Sequence, residues 1–129
     1  MTIHQDVVIK GTPKAVYNIL LSSKKFKTMS GGREAKISKE VGGEVSLFGG
    51  AIQARNVELV AGKRVVQAWR AGDWPEGKYS IIRFELIADG ANTKLSFDQA
   101  GHPDAATPHL EKGWHDMYWE PMNAMLAKA

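Results

Sequence analysis

The chain has 129 residues, a formal net charge of +3 and no cysteine. One domain of that length buries roughly two-thirds of the surface its unfolded form exposes, so a single core needs no staples. The missing cysteines exclude disulfides, thiolate chemistry and Cys-type zinc sites; the small basic excess argues against a nucleic-acid face; and no apolar run reaches the roughly 20 residues of a membrane span.

Met1 leads into Ile3, His4, Gln5 and Asp6 without a basic stretch and apolar run, so no signal peptide and a cytoplasmic location are expected. Ile3, Gln5, Val7 and Ile9 alternate with His4, Asp6, Val8 and Lys10, the period of a half-buried strand that Gly11 ends. Thr12-Pro13 offers an N-cap hydroxyl followed by proline at the first helical position, where its missing N–H costs nothing. Val16, Ile19 and Leu20 line one face of that helix; Ser22-Ser23 breaks it, and residues 24 to 29 read as a second short helix or turn.

Gly31-Gly32 opens the sheet, and Ala35 and Ile37, then Val45 and Leu47, flank a turn at Gly42-Gly43. Gly49-Gly50 is a further tight turn, where glycine accepts a positive φ. Strands are expected over residues 51 to 60 and 64 to 70, then a tryptophan-bearing loop over 71 to 78. Two more runs, Ser80 to Ile87 and Thr93 to Gln99, are joined by Ala88-Asp89-Gly90-Ala91. Connections this short make an antiparallel meander.

From Pro108 to about Ala127 the period changes to that of a helix. Winding at 100° per residue places Leu110, Trp114, Met117, Tyr118, Pro121 and Met125 on one face, with Lys112, Asp116, Glu120 and Asn123 opposite. Thr107-Pro108 repeats the cap-plus-proline start, and Pro121 predicts a kink near Met117. These elements predict one α+β domain over residues 1–129: a curved antiparallel sheet of about six or seven strands, two short helices, and a long C-terminal helix over a cavity.

Several segments also resemble a known family: Thr12-Pro13-Lys14-Ala15-Val16-Tyr17, Phe48-Gly49-Gly50, Trp69-Arg70, Asp73-Trp74-Pro75-Glu76-Gly77, Tyr79-Ser80 and Gly113-Trp114 with Tyr118-Trp119-Glu120-Pro121. In this order they resemble the activators of heat-shock-protein-90 ATPase and their homologues, of the START-like, birch-pollen-allergen-type superfamily (SRPBCC). The resemblance spans essentially the whole chain and implies the helix-grip fold. It also implies a possible chaperone partner. The eukaryotic activators carry an additional N-terminal domain that does most of the chaperone binding and stimulation, whereas many short bacterial-type members consist of the helix-grip domain alone, with small apolar ligands the usual suggestion.

Arg64 and Arg70 suit the outer face of their strand, so Gln67 and Trp69 are expected to point inward. Trp69 then serves as core or cavity wall, and the Gln67 amide requires a bonded neighbour, water or ligand. Tyr79, Phe84 and Phe97 are placed on or near the inner surface, as core first and pocket lining second. Trp114, Met117 and Tyr118 face the sheet as packing and as cavity roof. The expected ligand-binding set is therefore Gln67, Trp69, Tyr79, Phe84, Phe97, Trp114, Met117 and Tyr118, around a small, largely apolar ligand.

Trp74 either pins its turn, gates the pocket mouth or meets a partner; an interaction surface would combine an exposed Trp74 with the basic cluster Lys24, Lys25 and Lys27. His109 and His115 stand six apart, roughly opposite on a helix, so no metal site is expected. No nucleophile elbow, phosphate loop or paired carboxylate appears, and neither catalytic residue nor cofactor is assigned. A cavity enzyme of cyclase or hydrolase type would need His115 or Glu58 turned inward.

Overall fold

The computed structural model describes residues 2–128. Strand β1 (Ile3–Ile9) is followed by helices α1 (Pro13–Leu21) and α2 (Ser23–Met29). The Thr12 hydroxyl accepts from the Ala15 N–H at 3.2 Å, capping α1. Ser22 both ends α1 and caps α2, accepting from the Lys25 N–H at 3.1 Å. The remaining strands are β2 (Lys36–Ile37), β3 (Glu44–Leu47), β4 (Ile52–Val60), β5 (Arg64–Ala71), β6 (Ser80–Asp89) and β7 (Asn92–Ala100).

Together they form one seven-stranded antiparallel sheet in the order β1-β7-β6-β5-β4-β3-β2. The pairing of β4 with β5 slips between Asn56 and Glu58, a bulge of the kind that bends a strand. Alternation puts Val65, Gln67 and Trp69 of β5, Ser80, Ile82, Phe84 and Leu86 of β6, and Thr93, Leu95, Phe97 and Gln99 of β7 on the buried face. The outer face carries charges instead: Arg64 donates to Glu58 and Glu85, and Arg83 and His4 both engage Asp98.

The C-terminal segment lies on the inner face as α3 (Thr107–Trp114), a single π-helical turn (His115–Trp119) and α4 (Glu120–Ala127). The irregularity expected near Met117 takes the form of that wider turn. Pro121 has no N–H to give the Met117 carbonyl, and just before it the Glu120 N–H bonds the His115 carbonyl five residues back. A π turn takes in an extra residue and rotates everything beyond it. Trp119 and Met122 therefore enter the core, at 2% and 0% exposure, while Pro121 and Met125 are only half-buried. Asn123, placed outward by uniform winding, instead accepts from the Lys10 N–H of the β1 end at 2.8 Å.

Thr107 also differs from expectation. A 3-10 turn (Asp104–Ala106) precedes α3, and the Thr107 hydroxyl pairs with His102 Nε2 at 2.9 Å rather than capping the helix. Burial lowers the pKa of His102, so its imidazole is held neutral there.

Candidate functional site

Between the β4–β5 end of the sheet and α3 lies a half-open cavity of about 390 Å³, within the range of about 300–1,000 Å³ usual for ligand pockets. Its sheet side is Ile52, Trp69 and Ala71; its helix side is Ala106, Leu110, Gly113, Trp114, Met117 and Tyr118; Phe48, Ala51 and Trp74 close the flanks. Small residues create the space. Ala71 on β5 and Ala106 and Gly113 on the helix side all line it, and a Cβ built on Gly113 would meet nothing within 4 Å.

The walls are aromatic and interlocked. The Trp69 ring sits 5.7 Å from Trp74 and 5.2 Å from Trp114, and Trp114 is 4.4 Å from Tyr118. Phe48 packs edge-on to both Phe26 and Tyr118. It holds a φ of +54°, a left-handed conformation that costs a bulky residue energy and is sustained here by those ring contacts and by the following turn, where Gly49 and Gly50 also have positive φ.

Polar groups are sparse inside and gather at the mouth. Arg33, Asp73 and His109 are exposed at the rim, with the Arg33 guanidinium 5.9 Å from the Phe48 ring centre. Deeper, the Trp69 indole N–H is buried and makes no hydrogen bond of good geometry. Burial pushes the Tyr118 phenol well above its ordinary pKa, opposed by a hydrogen-bonding interaction with the Trp69 indole beside it. Tyr118 therefore stays protonated as a potential donor at any neutral pH.

The structure separates the residues named from sequence. Trp69, Trp114, Met117 and Tyr118 line the cavity. Gln67 is buried but stands apart from it, donating to Asn56 Oδ1 at 3.1 Å; Asn56 in turn donates to the Ser38 and Glu40 carbonyls. Phe84 and Phe97 face each other across β6 and β7, 5.2 Å apart, and form core beneath Trp114 rather than cavity wall.

Tyr79 must be corrected. It is 48% exposed and lies under the Arg70 guanidinium on the outside, because inward positions on β6 start at Ser80 and the side-chain period of 2 turns Tyr79 away. Trp74 is corrected as a display residue as well: it is only 8% exposed and folds into the cavity wall. Arg70 fixes its loop by donating to the Trp74 and Pro75 carbonyls. Lys24, Lys25 and Lys27 are exposed, with Lys27 paired to Glu34. His115 and Glu58, the two groups the enzyme alternative required inside, both face solvent.

Sequence reasoning missed Arg33, Phe48, Asp73, His109 and Gly113 as cavity residues. Gly113 carried a usable signal, a glycine amid the apolar stripe of a helix, since such a residue is tolerated where space or close approach needs it. Arg33, Phe48 and Asp73 come from separate loops and turns and His109 from the exposed side of α3, and no local pattern connects them.

A curved antiparallel sheet gripping a C-terminal helix, with a pocket between them, defines a helix-grip domain. A crystal structure described as an HSP90 activator from Plasmodium falciparum superposes with a TM-score of 0.93 over 98% of this chain and 96% of that one, at 23% identity. The chain belongs to the family described as Activator of Hsp90 ATPase homolog 1-like protein, whose model matches residues 10–127. Similar relatives are the activator of 90 kDa heat shock protein ATPase homolog of Dictyostelium discoideum, 30% identical over 80% of the chain, and homolog 2 of Mus musculus, 27% identical over 71% of it. The match covers 27% and 28% of those proteins, so the chain spans little more than a quarter of their length. Among the described residues, no helix is long and apolar enough to cross a membrane.

Proposed function

We propose that this domain binds a small, largely apolar ligand in the cavity between β4–β5 and α3. The observation that carries the reading is a cavity of about 390 Å³ kept open by Ala71, Ala106 and Gly113 in the midst of tryptophans that could have filled it. Apolar burial supplies the affinity, at roughly 25 cal/mol for each Å² removed from water. The test is native mass spectrometry of the purified protein, followed by extraction of any small molecule that travels with it. A retained apolar compound whose retention is lost in Gly113→Phe supports the reading; a cavity that admits no apolar compound under titration sinks it.

A second reading, contact with a heat-shock-protein-90-type chaperone, is favoured by the names of the relatives. With Trp74 folded into the cavity wall, the surface left for it from the sequence reading is the exposed Lys24, Lys25 and Lys27 on α2. Charge contacts of this kind weaken with salt. Co-elution with the chaperone at low salt, lost when the three lysines become glutamate, supports it; the absence of co-elution counts against it. A cytoplasmic location accords with both readings and with a cysteine-free chain.

A further inference from the structure

Buried polar groups in folded proteins nearly always have a hydrogen-bond partner, and an orphan costs about 1–3 kcal/mol. The Trp69 indole N–H is such an orphan, and its ring is part of the cavity wall. The two buried indoles of the C-terminal helix behave differently: Trp114 Nε1 donates to Gln99 Oε1 at 2.9 Å and Trp119 Nε1 to Gln5 Oε1 at 2.8 Å. Among the described residues, Trp69 is the tryptophan whose fully buried N–H lacks a well-formed hydrogen bond; the Tyr118 hydroxyl stands beside it, close enough to interact but not in good geometry.

Deepening the proposed ligand-binding function, on which this inference rests, we infer that the cavity takes a flat-ringed ligand carrying a neutral carbonyl, with the carbonyl oxygen accepting the Trp69 indole N–H. The walls select the ring: Trp69, Trp74 and Trp114 offer faces and edges against which a planar apolar body packs better than a flexible chain. The charges select neutrality. Arg33 and Asp73 stand at the exposed rim, so a carboxylate pushed in as far as Trp69 would be buried without a counter-charge. A carbonyl fits the donor at no such cost, and Tyr118 can give it a second hydrogen bond.

The test uses two probes of one shape, fluorenone and fluorene, which differ in a single carbonyl. Each is titrated into the intact protein by calorimetry, with the tryptophan indole N–H signals followed by NMR. Fluorenone is expected to bind about tenfold more tightly than fluorene, the size of one net hydrogen bond, and to move the Trp69 indole N–H resonance downfield where fluorene does not. Trp69→Phe keeps an aromatic ring without the N–H and is expected to erase the difference between the probes. Should that variant fail to fold, the wild-type indole shift decides alone. Equal binding of the two probes, with both lost in Gly113→Phe, overturns the carbonyl inference and leaves the cavity reading standing. Binding of neither probe, or binding indifferent to Gly113→Phe, overturns both.

Discussion

The indole N–H of Trp114 donates to the Gln99 side-chain carbonyl at 2.9 Å, tying the centre of the C-terminal helix to β7. The tie continues into the sheet. Gln99 Nε2 donates to the Ser80 hydroxyl at 3.0 Å, and Ser80 donates to the Trp69 carbonyl at 2.8 Å. One buried chain of hydrogen bonds thus fixes both the helix-side and the sheet-side tryptophan of the cavity, Trp114 directly and Trp69 through its backbone.

Gln99→Leu is therefore expected to destabilise the fold by about 1–3 kcal/mol, because it leaves the Trp114 N–H buried and unpaired. Urea unfolding measures this through the shift in midpoint at constant slope. An unchanged midpoint would mean that water or a rearranged indole replaces the bond at no cost.

Gly113→Ala is expected to stabilise the protein by up to about 1 kcal/mol, since glycine is that much poorer than alanine inside a helix and the added methyl meets nothing within 4 Å. Thermal unfolding reads the gain. A loss instead would show that the helix and sheet approach each other more closely here than the open space implies.

Gln67→Leu should cost stability while leaving the affinity for a cavity probe such as fluorene unchanged. The Gln67 amide bonds Asn56 and stands apart from the cavity, so the substitution orphans an acceptor at Asn56 but touches no wall. A change in probe affinity larger than the change in a distant surface variant would return Gln67 to the binding site.

On the outer face, hydrogen bonds accepted by Asp98 and then Asp6 hold the pKa of His4 above its ordinary 6.5. Asp6 is held below its ordinary 3.8 by its bond to His4. Burial pushes Asp98 up, but its bonds to His4 and Arg83 outweigh that and leave it lowered. The sign follows from linkage. A raised histidine pKa contributes stability that is fully present below about pH 6.5 and is lost as pH rises through the folded value; lowered carboxylates contribute above their unfolded values and lose it in acid. The His4→Gln variant should therefore fall short of wild type near pH 5.5 and match it near pH 8.5, with the deficit shrinking in high salt because the cluster is exposed. A deficit independent of pH would assign His4 a packing role instead.

Strand alternation, the Thr12 cap and the glycine turns were legible from local sequence, because each depends on a few neighbouring residues and a fixed period. Trp69 and the Trp114-Met117-Tyr118 face were legible for the same reason. Tyr79 went wrong at a strand end, where one residue of uncertainty reverses the facing. Trp119 and Met122 were missed because uniform winding takes no account of a π turn, and one extra residue rotates all that follows.

By itself the sequence determined the curved sheet, the short capped helices and the helix that crosses them, since hydrophobic period and turn chemistry are written in residues close along the chain. Only the tertiary structure decided which aromatic side chains fill the core and which leave a cavity. It folded Trp74 into the wall and brought Arg33, Phe48 and Gly113 to one pocket. It satisfied Gln67 through Asn56, and it left the Trp69 N–H without a well-formed hydrogen bond. Each of these depends on distances between residues far apart in the chain, where packing volume and the geometry of a buried hydrogen bond, rather than local propensity, set the outcome.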